Sequence, residues 1–173
     1  DVFQLGIVGY TSQKLYGPDD SDGTRLLRPG QEQITVLGEA FGAVRILGQT
    51  LTGYRQLVNR PFINPRDNRM VPQTFEAYTL TGAAKDVSYT GGYITKVKLR
   101  ESDSFTWMSN TAGGTGSQRG VIYAGATWDF AKNGYVKMDD QYGVDVFNTF
   151  YVEGKYPIAI NDKTSLALGA QYY

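Results

Sequence analysis

The 173-residue sequence contains no cysteine and no histidine. Disulfide bonds, cysteine nucleophiles, histidine general bases and metal sites built from Cys and His are therefore excluded. Proline is scarce, with six residues. Polar residues interrupt the apolar runs within a few positions, so the sequence predicts no transmembrane helix.

The charges are balanced, with 17 basic and 17 acidic side chains. This balance predicts neither nucleic-acid binding nor a polybasic membrane segment. The adjacent carboxylates Asp139 and Asp140 would point to opposite sides of a strand, so they do not form an acid/base pair. The sequence predicts no catalytic residue, no cofactor and no metal site, and hence no enzyme.

Glycine and tyrosine are abundant, with 21 and 13 residues, which is typical of an all-β protein. Alternation of apolar and polar residues with a period of two is the dominant pattern along the chain. It predicts about nine strands, at 2–15, 33–47, 50–60, 73–82, 86–99, 119–130, 135–142, 146–157 and 163–173.

The segments between these strands alternate in length. Long connections at 16–32, 61–72 and 100–118 alternate with tight ones at 48–49, 83–85, 131–134 and 159–162. The exception lies near Gly143, where a short connection stands in place of a long one. Long loops at one end and tight turns at the other predict an antiparallel up-and-down meander, an arrangement typical of transmembrane β-barrels.

The alternation leaves two fold classes open. One is a soluble all-β domain that binds a ligand or a carbohydrate, and the other is a transmembrane β-barrel with its apolar face toward lipid. Strand length favours the barrel, because the predicted strands have about 10–15 residues whereas soluble strands average about 5–6. A tilted strand that spans a membrane needs about 9–11 residues.

Three stretches carry a family resemblance: QKLYGPDDSDGTRLLRPGQ, GYRQLVNRPFINPRDNRMVPQTFEAYTLTG and DVFNTFYVEGKYPI. They resemble the OprD-type outer-membrane porins, also called outer-membrane carboxylate channels. The resemblance covers essentially 1–173, and its most specific part is 59–82. It implies a substrate-selective channel that passes small water-soluble molecules, typically carboxylates, across the outer membrane of a Gram-negative bacterium.

Members of this family have eighteen strands and chains more than twice as long. The resemblance therefore implies that 1–173 is a single β-barrel segment, about the third to the eleventh strand, and a fragment of a longer porin chain. The implied partners are the lipid bilayer, the lipopolysaccharide of the outer membrane and small carboxylate solutes. The implied assembly is a monomer or a weak trimer, without nucleic acid.

In the family the third external loop folds inward and narrows the pore, and by strand order this loop is 61–72. The resemblance thus places the basic residues of NRPFINPRDNR at a constriction, where a positive field attracts carboxylates. The predicted constriction residues are Arg69, Arg66, Arg60 and Asp67, with Trp107 from the next long loop. The simpler alternative is a set of ordinary solvated loop arginines.

Charged residues within the strands are predicted to face the lumen, since a charge facing lipid at mid-bilayer costs about 2–4 kcal/mol. These predicted lumen residues are Arg45, Lys96, Lys98, Glu39 and Glu76. Apolar residues on the alternate positions are predicted to face outward: Ile34, Val36, Val44, Val87, Tyr89, Val97, Leu166 and Leu168. The pattern assigns no direction to Arg55.

Overall fold

A computed structural model describes residues 2–18, 20, 23, 25–66, 68, 70–114, 116–161 and 164–173. The strands are β1 Phe3–Ser12, β2 Ile34–Ile46, β3 Gln49–Gln56, β4 Thr74–Ala84, β5 Val87–Lys98, β6 Thr106–Trp107, β7 Val121–Ala131, β8 Gly134–Gly143, β9 Phe147–Asn161 and β10 Thr164–Tyr172. One short helix, α1 Met108–Thr111, follows β6. No helix among the described residues is both long and apolar enough to cross a membrane.

The strands form one antiparallel sheet in which neighbours along the chain are neighbours in the sheet. Its order is β1-β2-β3-β4-β5-β7-β8-β9-β10, and the two-residue β6 pairs with β5 outside this path. The nine strands of the path correspond to the nine predicted from the alternation, and the all-β up-and-down fold is confirmed. Because successive strands are antiparallel, the long connections lie at one end of the sheet and the tight turns at the other.

One face of the sheet, called here the inner face, is covered by the long connection between β3 and β4. Val58 and Ile63 of this connection pack on Phe75 and Ala77 of β4 in a buried cluster. The same cluster includes Ile94 and Val97 of β5, Met108 of α1, and Val121 and Tyr123 of β7. The core of the molecule is therefore the contact between this connection and the middle of the sheet.

The opposite, outer face carries large apolar side chains that remain exposed. They include residues that lie opposite each other on neighbouring strands: Leu51 and Leu80, Ile122 and Tyr142, and Leu168 and Tyr156. Each of these residues is 42–58% exposed. Such an apolar outer face does not support a soluble domain, whereas it suits contact with lipid acyl chains.

Two irregularities in the register move residues to a face that the simple alternation does not predict. In β2, Glu39 pairs with Val8 and Leu37 with Gly9, so Gly38 is an extra residue. Consequently Ile34, which is fully buried, and Val36 lie on the inner face rather than the outer one.

The second irregularity lies in β5, where Ile94 pairs with Ala77 but Lys96 pairs with Glu76. Thr95 is the extra residue, and it brings Val97 to the inner face and Lys96 to the outer face. Glu76 also lies on the outer face, since it alternates with Phe75 and Ala77 of the core. The prediction that Lys96 and Glu76 face the lumen side is therefore corrected by the register.

Candidate functional site

The connection 57–73 crosses the inner face from β3 toward β9. Its backbone closes on itself through hydrogen bonds from Arg60 N to Ile63 O (2.7 Å) and from Gln73 N to Pro65 O (2.8 Å). The ring of Phe62 reaches Tyr151 of β9 in an edge-to-face contact with centroids 5.9 Å apart. This segment, called here the inner loop, thus lies over the sheet instead of extending away from it.

A buried ion pair fixes the inner loop to the sheet. The Arg60 guanidinium bonds Asp139 of β8, whose side chain is fully buried while that of Arg60 is 16% exposed. The Tyr123 ring lies beneath, 5.8 Å from the guanidinium carbon. Burial is the main cause that lowers the pKa of Arg60 below its ordinary value, although an arginine this strongly basic stays ionised.

A glycine makes room for this ion pair. A Cβ at Gly125 of β7 would meet both Arg60 Nη2 and Asp139 Oδ2 closer than real Cβ atoms approach. Asp139 is held from the other side by Gln141, whose Nε2 donates to Oδ1 over 2.8 Å. Arg60 Nε is buried and has no acceptor among the described residues. This donor is therefore unsatisfied and, because it is buried, out of reach of a solute.

Further basic residues lie on the inner face beyond the loop. Lys137 pairs with Glu153, and Tyr135 with Lys155, in the register of β8 and β9. Glu153 accepts hydrogen bonds from the hydroxyls of Tyr135 and Tyr151. Among the described residues, the inner faces of these two strands and the inner loop thus combine four cations, Arg60, Arg66, Lys137 and Lys155, with two carboxylates, Asp139 and Glu153, that already accept hydrogen bonds.

Sequence reasoning missed Lys137 and Lys155, although a signal for Lys137 was present. In GYVKMDDQYG, Tyr135, Lys137, Asp139 and Gln141 alternate with Val136, Met138 and Tyr142, which indicates one polar face. Lys155 lies in an alternation broken by Gly154 and Pro157, so its direction follows only from the pairing with Tyr135.

Of the residues predicted at the constriction, the three that the structure describes lie apart from one another. Arg60 forms the ion pair just described, whereas Arg66 is an exposed residue of the inner loop with a φ of 49°. Arg69 and Asp67 lie outside the described residues. Trp107 lies on the outer face, where its ring centroid is 5.4 Å from Lys96 Nζ.

The residues predicted to face the lumen also have different surroundings from one another. Glu39 and Arg45 lie on the inner face, and Glu39 accepts a hydrogen bond from the Tyr10 hydroxyl over 2.6 Å. Lys98 is fully buried and donates to Pro72 O of the inner loop over 2.9 Å. Lys98 therefore holds the loop at its end, and its ammonium group is not available along an open wall.

Comparisons with known proteins agree with this arrangement. The family profile described as "OprD: outer membrane porin, OprD family" matches residues 3–173. A search of curated proteins found no match.

Solved structures similar to this chain are outer-membrane proteins. A BenF-like porin from Pseudomonas fluorescens Pf-5 has a TM-score of 0.83 at 20% identity, over 98% of this chain and 45% of that one. OccAB1 from Acinetobacter baumannii has 0.80 at 19% identity, over 95% and 40%. OpdK from Pseudomonas aeruginosa with vanillate has 0.79 at 21% identity, over 98% and 45%. The chain thus spans less than half the length of these relatives.

Proposed function

The chain belongs to the OprD family of Gram-negative outer membrane porins, and we propose that it forms part of the wall of a channel selective for small carboxylate-bearing solutes. Transport would occur by diffusion through the pore, without a chemical step. In this proposal the inner face lines the lumen and the outer face contacts the lipid bilayer. The 173 residues would be one segment of a longer barrel of eighteen strands.

The inner loop is the observation that carries this proposal. A segment that folds back over the inner face of the sheet, fixed by the Arg60–Asp139 pair and by Lys98, takes up space next to the wall. In a closed barrel such a segment narrows the lumen and brings solutes close to the wall. Selectivity then depends on the side chains that the segment and the wall present.

The charges of this region support a preference for anions. Asp139 and Glu153 are engaged by Arg60 and by two tyrosine hydroxyls, respectively, so their lone pairs are partly occupied. Lys137 and Lys155 add positive charge on the same face. A positive field in a narrow passage attracts carboxylates. That the OpdK structure was determined with vanillate, a carboxylate, agrees with this solute class.

Arg69 is the proposed selectivity residue of the inner loop. We base this role on its place in the motif DNRMVP, between Asn68 and Met70. A guanidinium offers a planar fork that can meet a carboxylate with two hydrogen bonds. Binding must stay weak, because a solute held tightly would block its own passage.

We therefore expect Arg69→Ala in the full-length porin to raise small-ion conductance and to lower the preference for carboxylates over neutral solutes. Single-channel recording in planar bilayers measures both quantities. Lys132→Ala, at a tight turn on the opposite end of the sheet, is the matched control and should change neither. If Arg69→Ala behaves like the control, Arg69 is an ordinary loop arginine and the proposed selectivity site is wrong.

A further inference from the structure

Three charged residues form a cluster on the outer face, where apolar side chains otherwise predominate. Glu76 Oε1 accepts from Arg55 Nε at 3.2 Å, and Glu76 Oε2 lies 3.4 Å from Lys96 Nζ. All three lie within three residues of the strand ends from which the long connections leave. This outer-face cluster is therefore at the edge of the apolar band and not at its centre.

The outer-face cluster has one positive charge in excess, since two cations share one carboxylate. Its side chains are partly accessible, at 22% for Arg55, 13% for Glu76 and 32% for Lys96. Arg55 Nη1 donates to Leu37 O over 3.0 Å, and Arg55 Nη2 has no acceptor among the described residues. The cluster thus combines an unbalanced positive charge with unused donors, which is the chemistry that recognises a phosphate group.

Two aromatic rings hold these cations in place. Phe105 lies 4.2 Å from the guanidinium carbon of Arg55, and Trp107 lies 5.4 Å from Lys96 Nζ. Aromatic and basic side chains together are typical of the membrane interface, where lipid headgroups begin. The register places Arg55 and Lys96 on the outer face of the sheet, so the excess charge faces the membrane and not the lumen.

We propose that the outer-face cluster binds a phosphate of lipopolysaccharide in the outer leaflet. This inference rests on the proposed function, in which the long connections lie outside the cell and the outer face meets lipid. A basic residue near a membrane surface finds its counter-charge in anionic headgroups. The excess charge of Arg55 and Lys96 over Glu76 matches a lipid A phosphate, which supplies oxygen acceptors for Lys96 Nζ and Arg55 Nη2.

The test uses the full-length porin, freed of lipid and titrated with purified lipopolysaccharide while native mass spectrometry counts the bound molecules. Lys96→Gln leaves a neutral Arg55–Glu76 pair and should weaken binding about fivefold, the effect expected for one basic residue at a membrane surface. Glu76→Gln raises the net charge of the cluster and should strengthen binding. Lys96→Arg keeps the positive charge and should bind lipopolysaccharide as the wild type does.

Lys137→Gln is the matched control, since it removes a lysine from the inner face and should leave lipopolysaccharide binding unchanged. Lipopolysaccharide stripped of its lipid A phosphates should bind the wild type as weakly as intact lipopolysaccharide binds Lys96→Gln. The proposal would be overturned if Lys96→Gln bound lipopolysaccharide as tightly as the wild type does, or if the wild type bound phosphatidylglycerol as tightly as it binds lipopolysaccharide. Single-channel conductance of the same preparations reports separately whether the channel itself has failed.

Discussion

Single residues decide how the inner loop is held. Arg60 comes from the loop, Asp139 from β8 and the space between them from Gly125 of β7, so three separate segments contribute to one contact. A buried ion pair of this kind adds little net stability, but removing one partner leaves an unbalanced charge that costs about 3–5 kcal/mol. We therefore expect this pair to specify the position of the loop.

We expect Asp139→Ala to release the inner loop without unfolding the barrel, because Arg60 would leave the wall to regain water. The result should be a larger and noisier open-channel current in single-channel recordings. Asp140→Ala is a close control, since Asp140 lies on the outer face opposite Ala124 and Phe150. Equal currents for the two variants would show that Asp139 does not anchor the loop.

Gly125→Ala should act on the same contact by steric means. The added methyl group would occupy the space of Arg60 Nη2 and Asp139 Oδ2, so one of them must move. We expect a conductance change similar to that of Asp139→Ala. At Gly154 of β9 the nearest atom to an added Cβ is Tyr135 O at 3.9 Å, so Gly154→Ala should leave the current unchanged. A silent Gly125→Ala would contradict the tight packing described here.

At the scale of elements, the tight turns show which local sequences shape the sheet. Leu47 and Gly48 join β2 to β3 with φ values of 50° and 79°. Positive φ at both positions is the geometry of the two-residue hairpin turn that favours Asn-Gly. Leucine is strained in this region and is 96% exposed, so packing does not compensate for the strain.

We expect Leu47→Asn to raise the free energy of unfolding of the full-length porin by about 1 kcal/mol, because asparagine tolerates the left-handed region better than leucine does. Urea unfolding in lipid vesicles measures the change. Leu47→Val is the opposite control, since a β-branched residue is strained further and should lower stability. Stability that is the same for all three side chains would show that the turn adopts another geometry.

The strands could be predicted from the sequence, whereas the faces of some residues could not. The period of two locates β5 and β7 within about two residues, because one apolar face must be maintained along each strand. It fails at Lys96, since the extra residue Thr95 shifts the phase without any signal in the sequence. It fails at Val36 because Gly38 fits a regular strand as well as a bulge.

The candidate site shows the same division. The family motif marks 61–72 as the loop that folds inward, but it does not tell which arginine of the inner loop forms an ion pair. The partner of Arg60 is Asp139, 79 positions away in the sequence, and only the register of the sheet brings the two together. Contacts of this range depend on the fold as a whole and leave no local pattern.

The whole molecule is a sheet with two chemically different faces. The inner face is polar around an apolar patch that the inner loop covers, and the outer face is largely apolar, with Asp140 and the outer-face cluster as its charged groups described above. Within the described residues β1 and β10 each pair on one side only. An unpaired strand edge is costly in lipid, where each unsatisfied backbone group costs several kcal/mol. We therefore expect further strands to complete the barrel.

The central claim is that the inner face lines a water-filled pore while the outer face meets lipid. Since this segment has no cysteine, single cysteines can be introduced at adjacent positions on opposite faces of β7 and β8, in a full-length porin without other cysteines. The inner positions are Thr127 and Lys137, and their outer neighbours are Ala126 and Met138.

The most direct measurement is single-channel conductance before and after a charged, membrane-impermeant thiol reagent is added. We predict that the reagent reduces the current through Thr127→Cys and Lys137→Cys and leaves that through Ala126→Cys and Met138→Cys unchanged. Reaction at the outer positions with the same loss of current, or no effect at either inner position, would contradict the assignment of the two faces.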